Sequence, residues 1–583
     1  MILVSNPEPG ASLMMVEGCL TAIAVALAFC LPRLGASSFT RIENIFGKLA
    51  GRQPLAVITV GLTAFLLRLV ILPLCPIPLP FIQDDFSFLL AGDTFASGRL
   101  TNPTPAMWQH FESFQLTMKP TYMSMYFPAQ GLVLAAGKVI FGHPWFGILC
   151  TTALMCAAIC WMLQAWLPPT WAFLGGMIAV VRIALFSYWI DTYSGGGAIA
   201  ALGGALLLGA LPRFMKTTKL RYSLLMAIGV VLLATSRPYE GILLCVPVTI
   251  YLGWWIFFSS NRPPIRVLLL RTAVPAALVV AGLAWMGYYN YRAFGSPLTP
   301  PYKVDRATYA VTPYYVWQSP RPEPVYRHKV MREFYVGVEL GTFSKIHSWT
   351  GFVPQNIFKC ARGMVFYSGV LLLPPLVMLR RVLADRRIRF LLLCMPLLIA
   401  GMSTETFLIP HYIAPFTAAF YAIGLQAMRH LRVWKPGGQP VGTMLVRLIV
   451  TLCVFLGVLR LFAEPLHFKL SGWPSASWAS VWHGPGHIGV ARAQIESELE
   501  HLPGKQLVIV RYSADHNSFD EWVYNAADID NSKVIWAREM SDKENLELMR
   551  YYKDRKVWLV QPDLQPARLS PYSLPDAPTI AQR

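Results

Sequence analysis

Apolar runs of about 20 residues recur along this chain, and a run of that length crosses the hydrocarbon core of a bilayer as a helix. Only a helix or a closed barrel satisfies every backbone polar group in lipid, so this recurrence constrains the fold more than any motif does. The runs fall at 12–32, 54–76, 144–166, 170–189, 222–237, 240–258, 272–289, 361–380, 390–409, 411–429 and 445–463. A Gly- and Ala-rich stretch at 197–212 is slightly short, but its glycine pairs permit close helix packing. Together they make twelve expected spans. Only 14% of the 583 residues are charged, against roughly 25% in a soluble domain. The chain reads as a polytopic α-helical membrane protein.

The net charge of +19 does not indicate nucleic acid, because the basic residues form short clusters between apolar segments. That is the pattern of loops retained on the cytoplasmic side. The clusters are Arg33–Arg52, Arg213–Arg221, Arg262–Arg271, Arg380–Arg389 and Arg429–Lys435. With twelve spans all five fall on one side, which leaves both termini and residues 80–143, 290–360 and 464–583 facing outward. The N-terminal run lacks a preceding Lys or Arg and carries Glu17, so a retained helix is expected there. The ten cysteines form no CxxC pair and read as small buried hydrophobes.

Two apolar stretches in the first outer loop are too short to span. GLVLAAGKVIF (131–141) and FSFLLAGDTFA (86–96) are expected as interfacial helices, the second with Phe88, Leu89 and Phe95 on one stripe. Residues 1–463 then form a transmembrane domain. Residues 464–583 have the composition of a soluble α/β unit, with strands at 507–512, 533–537 and 556–560 and helices at 487–502, 519–527 and 541–553. No GxGxxG or P-loop occurs in it, HGPGH (483–487) reads as a loop, and the Pro-rich tail 562–583 reads as irregular.

Three polar concentrations stand at outer helix ends. Asp84 and Asp85 follow the second span. Two adjacent carboxylates raise one pKa, which suits a general base, although Asp before a helix also serves as a cap. The same loop carries His110, Glu112 and Lys119 among Trp108, Phe111, Phe114, Tyr122, Tyr126 and Phe127, an aromatic density suited to a cleft at the interface. In ATSRPYEGI (234–242), Arg237 and Glu240 are one turn apart, so Arg237 either binds a lipid phosphate or pairs with Glu240. ETFLIPHYIAPF (405–416) offers Glu405, His411 and Tyr412. Arg68 and Arg182 lie inside apolar runs and are expected to be paired inside the bundle, and Asp191 is a further acid at an outer helix end.

The architecture and QDDFSFLLAGDTFASGRL (83–100) resemble the GT-C superfamily of membrane glycosyltransferases, most closely the branch of protein O-mannosyltransferases and lipid A aminoarabinose transferases. The resemblance implies inverting transfer of a sugar from a polyprenyl-phosphate donor to a lipid, glycan or protein acceptor at the outer face of a bacterial inner membrane. It implies Asp84 as the base. Asp85 departs from the Asp-Glu form frequent in relatives, and its role is to orient acceptor or metal. Superfamily members differ in using a divalent cation, so metal dependence is left open. Arg237, with His411 second, is the expected counter-charge for the departing phosphate, on chemistry alone. A transporter or lipid flippase is the alternative reading, because twelve spans suit that class too.

Overall fold

The computed structural model describes residues 13–260, 262–462, 466 and 489–572. Eight helices among them are long and apolar enough to cross a membrane: Leu13–Cys30, Gln53–Val70, Trp145–Trp166, Gly197–Thr217, Pro238–Phe258, Ile265–Phe294, Arg386–Thr404 and Val441–Phe462. At the other four expected spans the helices are too short or too polar to count as crossings by length and composition. Pro169–Ala184 and Leu220–Ser236 are apolar but short. Thr417–Arg432 has 16 residues. The expected span at 361–380 is instead the helix Trp349–Ser368, which stops at Gly369. Gly369 has a φ of +57°, and Pro374 and Pro375 follow, so the α-helix cannot continue through this turn.

Trp145–Trp166 and Gly197–Thr217 form the buried centre of the bundle, and the outer helices present one face only to protein. Close approach at the centre depends on small residues. A Cβ on Gly204 would lie 1.8 Å from the Pro415 carbonyl oxygen, so the Gly197–Thr217 helix seats directly against the turn that carries His411 and Tyr412. Both intramembrane arginines are paired as expected. Arg68 Nη2 donates to Asp191 Oδ1 at 2.9 Å, and Arg182 Nη1 to Glu17 Oε1 at 2.6 Å. Either charge alone in this apolar interior would cost several kcal/mol. A helix not read from the sequence, Ala36–Gly51, runs between the first two long helices. Its Glu43 receives bonds from Arg432 and Arg447 at 2.9–3.0 Å, which ties it to the bundle end where the basic clusters gather.

The two segments expected at the interface are helices, Gln83–Ala96 and Pro128–Phe141, packed on one another. Gly131 allows it, because a Cβ there would meet Ala91 Cβ at 2.7 Å.

Beyond residue 489 a four-stranded sheet forms in the order Val534–Arg538, Lys505–Val510, Arg555–Gln561, Arg568–Pro571. The first three strands are parallel, and the fourth is antiparallel to Arg555–Gln561. Helices Val490–His501 and Asp542–Tyr551 match expectation, the second opened by a Ser541–Glu544 capping box. Two expectations fail. Residues 568–571 are a strand covering a sheet edge, not irregular tail. Residues 519–527 are not helical, because their side chains fix the chain in an open path. The Glu521 carboxylate accepts from Val523 N–H at 2.7 Å, and Asn525 holds both the N–H and C=O of Trp536. HGPGH lies outside the described residues.

Candidate active site

CPIPLP (75–80) cannot enter a helix, so the helix bearing the acidic pair starts only at Gln83, with Ile82 as its N-cap. Asp84 is therefore inside the first turn, not the cap. Carboxylates are favoured there by the helix dipole. Neighbours on a helix diverge by about 100°, and the two acids consequently meet different surroundings.

Asp85 is fully buried, and its Oδ1 accepts the Tyr193 N–H at 3.0 Å. Burial first, with the Asp84 charge adding to it, pushes the Asp85 carboxyl up to about 7 against the opposing bond from Tyr193. This acid holds the 193–196 turn against the helix.

Asp84 is only partly buried and accepts a short hydrogen bond from the Tyr126 hydroxyl. Burial raises its pKa, opposed by hydrogen bonds from Tyr126 and Gln115 and by the positive charge of Arg237. The chain thus brings the second polar concentration to the first. Tyr126 packs edge-on against Tyr302 at 5.7 Å, and Tyr302 lines the same groove as Arg237.

Arg237 occupies the break between Leu220–Ser236 and Pro238–Phe258, which Pro238 at the first helical position enforces. Its Nη2 donates to the Gly195 carbonyl at 3.0 Å, its guanidinium lies 4.5 Å over the Tyr412 ring, and Nη1 is 3.9 Å from Glu240 Oε1. The last distance is too long for a hydrogen bond, so Glu240 neutralises the arginine only loosely. The groove above it encloses about 210 Å³ and is lined by Arg237, Glu240, Tyr302, Tyr315, Glu405 and Tyr412, among others. A narrow cleft lined by Tyr126, Gln130, Gly195, Arg237 and Tyr302 continues toward Asp84.

The other expected site residues lie elsewhere. His411 does not line the groove. Its ring Nδ1 and its backbone N–H are both 2.9 Å from the Tyr188 hydroxyl, and it packs under Gly195, whose φ of +83° and lack of Cβ make room for the ring. His110 is turned toward the C-terminal unit, with Nδ1 3.0 Å from the Arg538 carbonyl. Glu112 and Lys119 line a separate cavity. Tyr126 was expected as part of the loop's aromatic density, whereas Tyr302 and Tyr315 entered the groove without a sequence signal, since isolated tyrosines in Pro-rich loops carry no diagnostic spacing. Glu405 was visible only as a polar group at a helix end.

Among the described residues no group of three or more His, Cys, Asp or Glu side chains is placed to hold a metal ion.

No family model and no curated protein matches this chain. Among solved structures it is similar to ArnT from Cupriavidus metallidurans in the apo state, at 11% identity and a TM-score of 0.42, over 87% of this chain and 92% of that one. It is also similar to the Archaeoglobus fulgidus oligosaccharyltransferase tethered with an acceptor peptide, at 12% identity and a TM-score of 0.37, over 86% of this chain and 68% of that one. AglB from the same organism, in complex with an inhibitory peptide and a dolichol-phosphate, gives 11% identity and a TM-score of 0.35 over 87% and 69%.

Proposed function

We propose that this chain is an inverting membrane glycosyltransferase that moves a sugar from a polyprenyl-phosphate donor to an envelope acceptor at the outer face of the inner membrane. The observation that carries this reading is that a buried but loosely paired arginine, Arg237, lines a cleft together with Tyr126, whose hydroxyl donates to the Asp84 carboxylate, close enough for the Arg237 charge to act on Asp84. Displacement at an anomeric carbon needs a base on the attacking side and positive charge on the leaving side.

Asp84 takes the proton of the acceptor hydroxyl as its oxygen bonds to the anomeric carbon. The bond from that carbon to the phosphate oxygen breaks on the opposite face, which inverts the configuration. The electron pair stays on the phosphate. Arg237, aimed by the Gly195 carbonyl and held over Tyr412, meets that charge with a fixed guanidinium. Tyr126 and Tyr302 line the cleft beside Arg237, and Tyr126 links that cleft to Asp84 through its hydroxyl.

Asp84→Asn keeps the side-chain shape and removes the base. Sugar transfer in membranes is expected to fall by about 10²–10⁴-fold, with expression and melting temperature unchanged. Full retained activity removes Asp84 from the chemistry.

A further inference from the structure

The second cavity, which shares no lining residue with the Arg237 groove, also encloses about 210 Å³. It lies between the first outer loop and residues 308–331, and its lining combines Trp108, Tyr309 and Tyr326 with Glu112, Lys119 and Arg327. Lys119 Nζ stands 4.5 Å from the Trp108 ring centroid and Arg327 Cζ 4.6 Å from the same centroid. One indole therefore contacts two cations of this lining, which holds a single carboxylate, Glu112.

Only one of the two is neutralised by the protein. Arg327 Nη1 spans both Glu112 oxygens at 3.2 and 3.3 Å. Glu112 is itself buried and fixed by the Tyr309 hydroxyl at 3.0 Å. Burial raises the Glu112 pKa, and the Arg327 charge opposes that. Lys119 is exposed and has no hydrogen-bond or ion-pair partner among the described residues, so its three donors are free at the cavity mouth. The aromatic walls suit the apolar faces of a sugar ring, and the volume suits one ring, not a chain.

We propose that this cavity binds an anionic sugar unit of the acceptor, with a phosphate or carboxylate set between Lys119 and Arg327 and the ring against Tyr309 and Tyr326. The role as an acceptor subsite rests on the glycosyltransferase reading; binding itself does not. The anion completes the charge that Glu112 leaves unmatched, and its affinity falls with salt because the Lys119 half of the site faces solvent.

The test is calorimetric titration of the purified full-length protein in nanodiscs with glucose 6-phosphate, with glucose and inorganic phosphate as separate ligands. Saturable, salt-weakened binding of glucose 6-phosphate is expected, with glucose and phosphate each at least about tenfold weaker. Lys119→Ala is expected to weaken it by about tenfold and Lys119→Arg to restore it, because both cations donate to an anion. Asp84→Asn is expected to bind as wild type. Equal affinity for phosphate and sugar phosphate overturns the saccharide assignment. Binding that survives Lys119→Ala but is lost in Arg237→Ala puts the ligand in the other groove and overturns the site. If binding follows Lys119 while Asp84→Asn retains full transfer, the cavity stands and the catalytic reading falls.

Discussion

The Tyr126 hydroxyl, which lines the cleft beside Arg237, donates to Asp84 and not to Asp85, and under the proposed function this bond sets the pH at which Asp84 acts as a base. Burial holds the Asp84 carboxyl above its ordinary range, and the Tyr126 bond works against that shift by favouring the ionised form. Removing the hydroxyl therefore raises the pKa further. Tyr126→Phe is expected to move the acidic limb of the kcat profile to higher pH by about one to two units, the size of one hydrogen bond to a charged group. A limb that stays in place would mean that Asp84 is not the titrating base. Asp84 and Asp85 are indistinguishable in sequence. What separates them is the Tyr193 backbone, 108 residues from Asp85 along the chain, which claims Asp85 and leaves its neighbour available.

At the scale of elements, the C-terminal α/β unit acts as a buttress for the loop that carries the acids. Tyr524 stacks on Phe86 at 4.6 Å, two residues from Asp84, and Arg492 lies 5.1 Å over the other partner of that stack, Phe86 itself. Tyr122 donates to the Asn525 carbonyl, and Ser113 to the Glu521 carboxylate. At the centre is Arg538, nearly fully buried, which donates to Glu521 and to the Glu112 carbonyl. Arg538→Ala leaves the Glu521 carboxylate buried without its cation, at a cost of about 3–5 kcal/mol. The expected result is a lower melting temperature, with faster proteolysis of residues 489–572 than of the helical bundle. An unchanged protease pattern would show that the unit does not depend on this bridge. The three parallel strands were legible because each is a short apolar run between polar flanks. Residues 519–527 were not legible, because Trp522, Val523, Ala526 and Ala527 have helical spacing, while their path is set by Glu521 and Asn525 bonding to groups outside the segment.

At the scale of the whole molecule, charge separates the two ends of the bundle. Arg33–Arg52 and Arg429–Lys435 meet at one end through the Glu43 clamp, while Asp84, Asp191, Arg237 and the sheet unit meet at the other. Helix existence was legible from apolar length, and the pairing of Arg68 and Arg182 from the cost of an isolated charge in lipid. The Ala36–Gly51 helix was missed because its Arg41 and Lys48 mark the segment as a basic loop, although Phe39, Ile42, Phe46 and Leu49 recur along it at helical spacing. We propose that the end carrying the basic clusters is the cytoplasmic one, because retained loops carry the Lys and Arg excess. In a variant whose exposed native cysteines, Cys19, Cys30 and Cys360, are replaced by serine, Asp515→Cys is expected to react with a membrane-impermeant maleimide in intact spheroplasts. Gln439→Cys, beside the Arg429–Lys435 cluster, is expected to react only after permeabilisation. Labelling of both from the same side would break the odd number of crossings between them, and labelling in the reverse order would put the acidic pair and its groove in the cytoplasm, where an outer-face acceptor is out of reach.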